Sequence, residues 1–158
     1  MSVEAFFDSN IFLYAASKDP KDRSKAGVAA RLMTEINFGI SLQVAQEFYH
    51  NVRIKARLGI SQQEGEHIVS LLLRRPIVIT DVALFAEARR IATRFELRYW
   101  DAAIVAAAQR LGTATLYSED LSDGQDFDGV KVVNPFRGAR PNAPGAGATT
   151  GREPGAAC

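Results

Sequence analysis

The sequence predicts an α/β fold in which helices cover both faces of a parallel sheet. Short apolar runs alternate along the chain with longer segments whose apolar residues recur at helical spacing. The chain has 158 residues, of which 47% are hydrophobic, and this is enough to fill the core of one domain. In such a sheet, ligands bind beyond the carboxyl ends of the strands, where the strand order reverses. Functional residues are therefore expected at that edge.

Five short apolar runs are predicted to form the strands. They are rich in apolar and β-branched residues and too short for helices, which is typical of strands buried on both faces. Asp8 ends the first run, and Pro76 introduces the third. The predicted strands are residues 3–7, 39–42, 77–79, 114–117 and 130–133.

Five longer segments are predicted to form helices, and several carry a start or stop signal. Ser61 and Glu64 have the spacing of a capping box, and Asp81 is a predicted N-cap. An Ala-rich helix is predicted to open at Asp101 and to stop at Gly112. The predicted helices cover about residues 24–36, 43–58, 61–74, 81–95 and 101–111.

The folded domain is predicted to cover residues 1–137, followed by a flexible tail over residues 138–158. The tail contains five of the 12 glycines and three of the 6 prolines, and it has no large apolar side chain. Such a segment buries too little surface to offset the entropy lost on ordering. The alternative is that it orders on a partner or on a neighbouring copy of the chain.

Composition and charge exclude several classes of protein. The 19 basic and 18 acidic residues give a net charge of +1, without the gross bias that announces a nucleic-acid or membrane partner. The single cysteine, Cys158, excludes an intramolecular disulfide and a cysteine-based zinc site. The apolar run at residues 102–108 is far shorter than the roughly 20 residues of a membrane span, and the N-terminus lacks the basic region of a signal peptide. A soluble cytoplasmic protein without a membrane partner is expected.

Four acidic residues are predicted to meet near the carboxyl edge of the sheet. Asp8 and Asp120 follow predicted strands, and Asp101 begins a helix whose next seven residues are apolar. Glu47 falls at the margin of the buried face of the helix at residues 43–58, beside Asn51. Each acid alone also has a structural explanation, as a helix cap, a solvated helix residue or a loop residue. Their joint placement favours a functional site.

Four carboxylates in one place have a definite physical consequence. Two of them about 4 Å apart repel by about 4 kcal/mol at an effective dielectric constant of 20. Such a cluster must therefore bind protons or a cation. Oxygen ligands without cysteine or a histidine motif suit Mg²⁺ or Mn²⁺ better than zinc.

Four segments around these acids resemble the acidic motifs of PIN-domain ribonucleases, and most of all the VapC-type toxins of bacterial toxin–antitoxin pairs. The intervals between successive acids are 39, 54 and 19 residues, and the likeness covers about residues 3–136. The segments are FDSNIFLY at 7–14, QEF at 46–48, WDAAI at 100–104 and SEDL at 118–121.

This resemblance implies a three-layer α/β/α sandwich, RNA cleavage that depends on Mg²⁺ or Mn²⁺, a homodimer, and neutralisation by a small antitoxin. It also implies that Asn10 and Ser118 are polar residues that support the site. Some relatives place another acid in the loop where Asp123 and Asp126 lie, so the fourth acid stays open. The residues that match the metal-binding acids are Asp8, Glu47, Asp101 and Asp120.

Basic residues near these motifs are candidates for contacts with RNA phosphates. The alternative is that they are solvated helix faces, some of them paired with Glu87 and Glu96. The candidates are Arg53, Lys55, Arg57, Arg89, Arg90, Arg94 and Arg98.

Two other functions stay open at this point. A phosphatase would use Asp8 as a nucleophile. Phosphatases of the haloacid-dehalogenase type require a second aspartate at position 10, where this sequence has Asn10. A module without catalytic activity would bind RNA or a protein through the same cleft, because acidic residues alone do not prove turnover.

Overall fold

A computed structural model of the chain describes residues 2–139 and has the predicted α/β architecture. Within these residues there are six strands, six α-helices and two 3₁₀ helices, Pro20–Asp22 and Ala56–Leu58. The strands are β1 (Ala5–Phe7), β2 (Phe38–Ser41), β3 (Ile77–Val78), β4 (Thr115–Tyr117), β5 (Asp126–Phe127) and β6 (Val130–Val133). The helices are α1 (Ser9–Ala16), α2 (Arg23–Glu35), α3 (Leu42–Ile54), α4 (Gln62–Leu72), α5 (Val82–Phe95) and α6 (Tyr99–Leu111). Of the tail predicted at 138–158, residues 140–158 lie outside the described residues.

The six strands form one sheet in the order β3-β2-β1-β4-β6-β5. Neighbouring strands are parallel except β5 and β6, which pair antiparallel. The chain runs from β1 through β2 to β3, and then crosses back to place β4 on the other side of β1. The strand order therefore reverses between β1 and β4, and Asp8 and Ser118 follow these two strands. This is the edge at which the sequence predicts a ligand site.

Helices cover both faces of the sheet. α6 packs on β1, β2, β3, β4 and β6, and α5 packs on α6. α1 to α4 pack on one another, and the right-handed crossovers that join parallel strands place them on the opposite face. The central position of α6 explains why all of residues 102–108 are buried. The three-layer prediction is confirmed.

Most predicted helix signals act as expected. The Ser61 hydroxyl accepts a hydrogen bond from the backbone N–H of Glu64 at 3.1 Å, and Asp81 caps α5 in the same way. Gly112 ends α6 in the left-handed conformation that glycine adopts without strain. Only the Ser61 half of the predicted capping box is formed. The Glu64 carboxylate accepts a hydrogen bond from Lys18 Nζ instead of one from the backbone of Ser61.

Some element boundaries differ from the prediction for local reasons. α3 ends at Ile54, and the predicted continuation to residue 58 is a 3₁₀ turn closed by Gly59 at φ 65°. α6 begins at Tyr99 with Arg98 as its N-cap, so Asp101 lies in the first turn and is not the cap. β5 has only two residues and gives no periodic signal.

Gly39 in β2 lies where α6 approaches the sheet closely. A Cβ atom there would overlap Leu111 Cδ2 and lie 3.0 Å from the carbonyl oxygen of Pro76. We expect Gly39→Ala to lower the free energy of unfolding by about 1–3 kcal/mol, because the Leu111 side chain must move away and the backbone at Pro76 must shift. Urea denaturation measures the change. Gly27→Ala in α2 is the matched control, since a Cβ there meets nothing within 4 Å, and equal stability of the two variants would contradict this close packing.

Within residues 2–139, no helix combines the length and the apolar character needed to cross a bilayer.

Candidate functional site

Asp8 lies at the end of β1, where the chain turns directly into α1. Its backbone is extended, and its Oδ1 accepts a hydrogen bond from the backbone N–H of Ser9 at 2.8 Å, so it is the N-cap of α1. The preceding Phe7 is fully buried and stacks on Phe38 with ring centroids 4.5 Å apart. This packing fixes the start of the helix and leaves Asp8 only 5% exposed.

Ser118 connects Asp8 to Asp120. It follows β4, which pairs in parallel with β1, so its side chain lies at the same edge of the sheet as Asp8. The Ser118 hydroxyl donates a hydrogen bond to Asp8 Oδ2 at 2.7 Å and accepts one from the backbone N–H of Asp120 at 3.1 Å. One hydroxyl group therefore joins the Asp8 carboxylate to the backbone of Asp120, although the two residues are 112 positions apart in the sequence.

Glu47 reaches this edge from α3. Ser41, the last residue of β2, caps this helix without an intervening loop. The Ser9 hydroxyl donates a hydrogen bond to Glu47 Oε2 at 2.9 Å, and Gln43 Nε2 donates one to Oε1 at 2.8 Å. Both oxygens of Glu47 are thus held by neutral donors, one from α1 and one from its own helix.

Asn10 holds Asp120 from the first turn of α1. Its Nδ2 donates a hydrogen bond to Asp120 Oδ2 at 3.2 Å. Its Oδ1 is buried and has no hydrogen-bond partner among the described residues. A buried acceptor without a donor is unfavourable, so this oxygen suits a ligand that supplies a proton or a positive charge.

The Asp101 carboxylate makes none of the hydrogen bonds that join the other three acids within residues 2–139. Its Oδ2 is 3.4 Å from Arg98 Nε, and its side chain is 24% exposed. The link to the other acids runs through Gln43, whose Nε2 donates to both Glu47 Oε1 and the carbonyl oxygen of Trp100. Three predicted acids thus share one hydrogen-bonded network, while Asp101 is adjacent to it through the backbone.

The charges around Asp8 are not compensated by basic side chains. The pKa of Asp8 is raised to about 7, chiefly by burial. The charges of Glu47 and Asp120 contribute to this rise, and the hydrogen bonds from Ser118 and Ser9 oppose it. Within residues 2–139, no ion pair involves Asp8, Glu47 or Asp120. This network therefore favours a bound proton or cation.

A cleft of about 220 Å³ opens in front of the network. Glu47 and Asp120 line one part of it, and Lys55 and Arg57 line another. The remaining lining residues are Ser9, Asn10, Leu13, Tyr14, Asn51, Leu58 and Glu119.

Glu119 lies beside Asp120 but is neutralised by its neighbours. Lys25 Nζ forms an ion pair with Glu119, and the Tyr14 hydroxyl donates a hydrogen bond to Glu119 Oε2 at 2.6 Å. Lys25 Nζ also lies 4.5 Å from the centre of the Tyr14 ring. These contacts anchor the loop that carries Asp120 to α1 and α2.

Comparison with known families settles the relationship of the chain. The model of the PIN domain family matches residues 5–126. The chain belongs to the PIN domain family.

Several solved structures share its fold. A toxin–antitoxin complex from Klebsiella pneumoniae has 20% identity and a TM-score of 0.58, with coverage of 84% of this chain and 98% of that chain. VapC20 of Mycobacterium tuberculosis, described as a sarcin–ricin loop cleaving toxin, has 15% identity and a TM-score of 0.61, with coverage of 74% and 90%. FitAcB from Neisseria gonorrhoeae has 20% identity and a TM-score of 0.58, with coverage of 84% and 99%. No curated protein matches the chain.

The two further acids of the β4–β6 region have structural roles in this PIN domain. Asp123 Oδ1 accepts a hydrogen bond from the backbone N–H of Asn134 at 2.8 Å, and its Oδ2 pairs with Arg137. Asp126 Oδ1 accepts one from the backbone N–H of Gly129 at 2.7 Å, as in a turn. Among the acids of this loop, Asp120 therefore has the strongest geometric claim.

Most of the basic candidates have other partners in the PIN domain. Arg90 pairs with Glu87 as expected, and Arg94 pairs with Asp128. Arg57 pairs with Asp19 and Asp22, while Glu96 forms no ion pair within residues 2–139. Arg98 pairs with Asp101. Only Lys55 and Arg57 of the predicted set line the cleft.

Several residues of the network were not among the predicted site residues. Ser9 and Gln43 bond to Glu47, and Tyr14, Lys25 and Glu119 form the neighbouring ion-pair group. Gln43 had a readable signal, since it precedes Glu47 by four residues on the same helix. The others depend on contacts between distant elements and have no such signal.

The oxygen donors at this site of the PIN domain are of the chemical type that binds a hard divalent cation. They comprise the carboxylates of Asp8, Glu47 and Asp120 and the unpartnered Oδ1 of Asn10. In the described part of the chain, no three His, Cys, Asp or Glu side chains are grouped so that they could hold one ion as they stand. One ion would therefore be held by three of these acids only after their side chains had moved closer together.

Proposed function

We propose that this PIN domain is a metal-dependent endoribonuclease that acts as the toxin of a toxin–antitoxin pair. The observation that carries the proposal is the network of Asp8, Glu47 and Asp120, which is tied together by hydroxyl and amide groups and contains no compensating cation. It lies where the strand order reverses, as expected for an α/β ligand site. The likeness in fold to a protein described as a toxin–antitoxin complex and to one described as a sarcin–ricin loop cleaving toxin supports the biological role.

The proposed cofactor is Mg²⁺ or Mn²⁺, with Asp8 and Asp101 as direct ligands. Asp101 reaches this role only if its carboxylate leaves Arg98. Glu47 and Asp120 line the cleft, where they either hold a second ion or accept the hydrogen bonds of an attacking water. When bound, the cation supplies polarisation of the scissile phosphate and lowers the pKa of water.

The polar residues around the acids orient them for this task. Ser118 and the backbone of Ser9 hold the two oxygens of Asp8 in one orientation, so that the carboxylate does not rotate freely. Asn10 does the same for Asp120 through its amide nitrogen, while its Oδ1 stays available as an acceptor. Ordered ligands reduce the entropy lost when the reacting groups come together.

The proposed partners are an RNA substrate, a cognate antitoxin protein and a second copy of the chain in a homodimer, all in the cytoplasm. The structural relatives that support an antitoxin include one described as a toxin–antitoxin complex. An antitoxin that places a basic side chain in the cleft would offset the uncompensated charge of Asp8, Glu47 and Asp120.

The decisive experiment is RNA cleavage with and without a divalent ion. We expect a structured RNA to be cut when Mn²⁺ is added and to remain intact when EDTA is present, because the acidic network cannot approach a phosphate without a cation. Gel electrophoresis of end-labelled RNA measures the products. RNA that binds equally well in EDTA and is never cut would favour the binding module instead. A phosphorylated aspartate trapped at Asp8 would favour the phosphatase.

A further inference from the structure

The cleft that faces the acidic network contains a second, basic part. Glu47, Asn51 and Lys55 follow one another at intervals of four residues, so they lie on one side of α3 and of the residue that caps it. All three line the cleft. At 1.5 Å per residue, Lys55 lies about 12 Å from Glu47 along the helix axis. The two charges are thus at separate places in one continuous cleft.

The charge of Lys55 is uncompensated, in contrast to the other cations around the cleft. Lys25 is paired with Glu119. Arg57 Nη1 lies 3.0 Å from both Asp19 Oδ2 and Asp22 Oδ2, so two carboxylates surround one guanidinium. Lys55 is exposed, and its Nζ has no carboxylate partner within residues 2–139.

We propose that Lys55 is the phosphate-binding residue of a second subsite for single-stranded RNA. In this subsite it contacts another phosphate of the same strand, and the acidic network binds the scissile phosphate through the cation. This inference rests on the proposed nuclease function. It adds that the RNA strand follows α3 from the acidic network to Lys55.

The positive charge of Lys55 offsets the repulsion between the acidic network and the phosphates of RNA. RNA carries a negative charge at every phosphate, and the acids repel all of them except one that shares a cation. Lys55 supplies a positive charge in the same cleft, about two helical turns along α3 from Glu47, where it would attract another phosphate of the strand. Asn51 lies between the two parts, and its Nδ2 donates a hydrogen bond to the Glu47 carbonyl oxygen at 2.8 Å. Because this side chain is neutral, Asn51 adds no formal charge to the wall between Glu47 and Lys55.

The test compares Lys55→Ala, Lys55→Arg and a matched control in the full chain with Mn²⁺. The control is Lys131→Ala, because Lys131 is exposed on β6 and does not line the cleft. With a mixed-sequence single-stranded RNA, we expect Lys55→Ala to raise KM about tenfold at low salt with kcat nearly unchanged, and to reduce the slope of log KM against log salt by about one. Lys55→Arg and Lys131→Ala should match the wild type.

A substrate with one phosphodiester bond separates this role from a structural one. A dinucleoside monophosphate has no second phosphate, so Lys55→Ala and the wild type should cut it equally well. Equal KM values of Lys55→Ala and Lys131→Ala on the longer RNA would overturn the subsite and leave the proposed nuclease function intact. Equal impairment of Lys55→Ala on both substrates would also overturn it.

A binding measurement keeps the two proposals distinguishable. Fluorescence anisotropy of the labelled RNA in Ca²⁺ should show the same weakening in Lys55→Ala and none in Lys131→Ala. If the wild type binds RNA without cutting it in Mn²⁺ and Lys55→Ala weakens this binding, the nuclease function fails and the phosphate contact stands. If the wild type neither binds nor cuts RNA, both proposals fail.

Discussion

Asp8→Asn is expected to abolish metal-dependent RNA cleavage and to stabilise the metal-free protein. The substitution removes the buried charge that would hold the cation, and the loss of several kcal/mol of charge stabilisation lowers the rate by roughly a thousandfold. Asparagine is as good an N-cap as aspartate, so the start of α1 is kept. End-labelled RNA in Mn²⁺ measures the first effect, and thermal unfolding in EDTA measures the second.

The stability gain has a defined pH dependence. Because the pKa of Asp8 rises from 3.8 to about 7 on folding, the native chain holds a proton between these values that the unfolded chain has lost. The free energy of unfolding contributed by Asp8 therefore falls as the pH rises from about 4 to about 7 and is constant above that. The advantage of Asp8→Asn should be small near pH 4 and reach up to about 4 kcal/mol at pH 8.

Two controls make this result specific. Mn²⁺ should raise the melting temperature of the wild type by mass action and have no effect on Asp8→Asn. Asp123→Asn removes an exposed acid that pairs with Arg137, so it should keep cleavage and gain no stability. A variant Asp8→Asn that cuts RNA at the wild-type rate would disprove the proposed site.

Asp101→Asn is expected to abolish cleavage without the gain in stability. Asp101 lies in the first turn of α6, where a negative charge is favoured by the helix dipole, and its carboxylate lies beside Arg98. Removing this charge should cost up to about 1 kcal/mol of stability. If Asp101 turns toward Asp8 as a direct ligand, cleavage should fall roughly a thousandfold, as it does for Asp8→Asn.

Arg98→Ala is the matched control for Asp101. The Arg98 side chain is 85% exposed, so its loss should change stability little. It releases the Asp101 carboxylate, and the variant should therefore bind Mn²⁺ at least as tightly as the wild type in a thermal-shift titration. Unchanged cleavage by Asp101→Asn would remove this residue from the site and leave Asp8, Glu47 and Asp120 as its acids.

The sequence contains enough information for the sheet and for the residues that follow its strands. β1 and β4 are apolar runs bounded by polar residues, and their carboxyl ends lead to Asp8 and Ser118. α1 was not among the predicted helices, because its first five residues are all buried and it has no polar face with a helical period. β5 was missed because Asp126–Phe127 has only one apolar residue, whereas the equally short β3 consists of two β-branched apolar residues. The antiparallel pairing of β5 depends on the turn before β6.

The arrangement of the site was only partly predictable. That Asp8, Glu47 and Asp120 lie at one edge follows from topology, and their hydrogen bonds to Ser118, Ser9 and Asn10 agree with it. The position of Asp101 depends on where α6 begins. That helix starts at Tyr99 without a side-chain cap, and the sequence offers no signal that distinguishes this start from one at Asp101.

The hydroxyl bridge of Ser118 has a consequence for biosynthesis. Until β4 has been translated, β1 has one open edge, and Asp8 lacks the partner that holds its Oδ2. Asp120 comes two residues later still. Residues 1–114 thus emerge from the ribosome without an assembled centre, and the proposed nuclease cannot act before residues 115–120 have been translated.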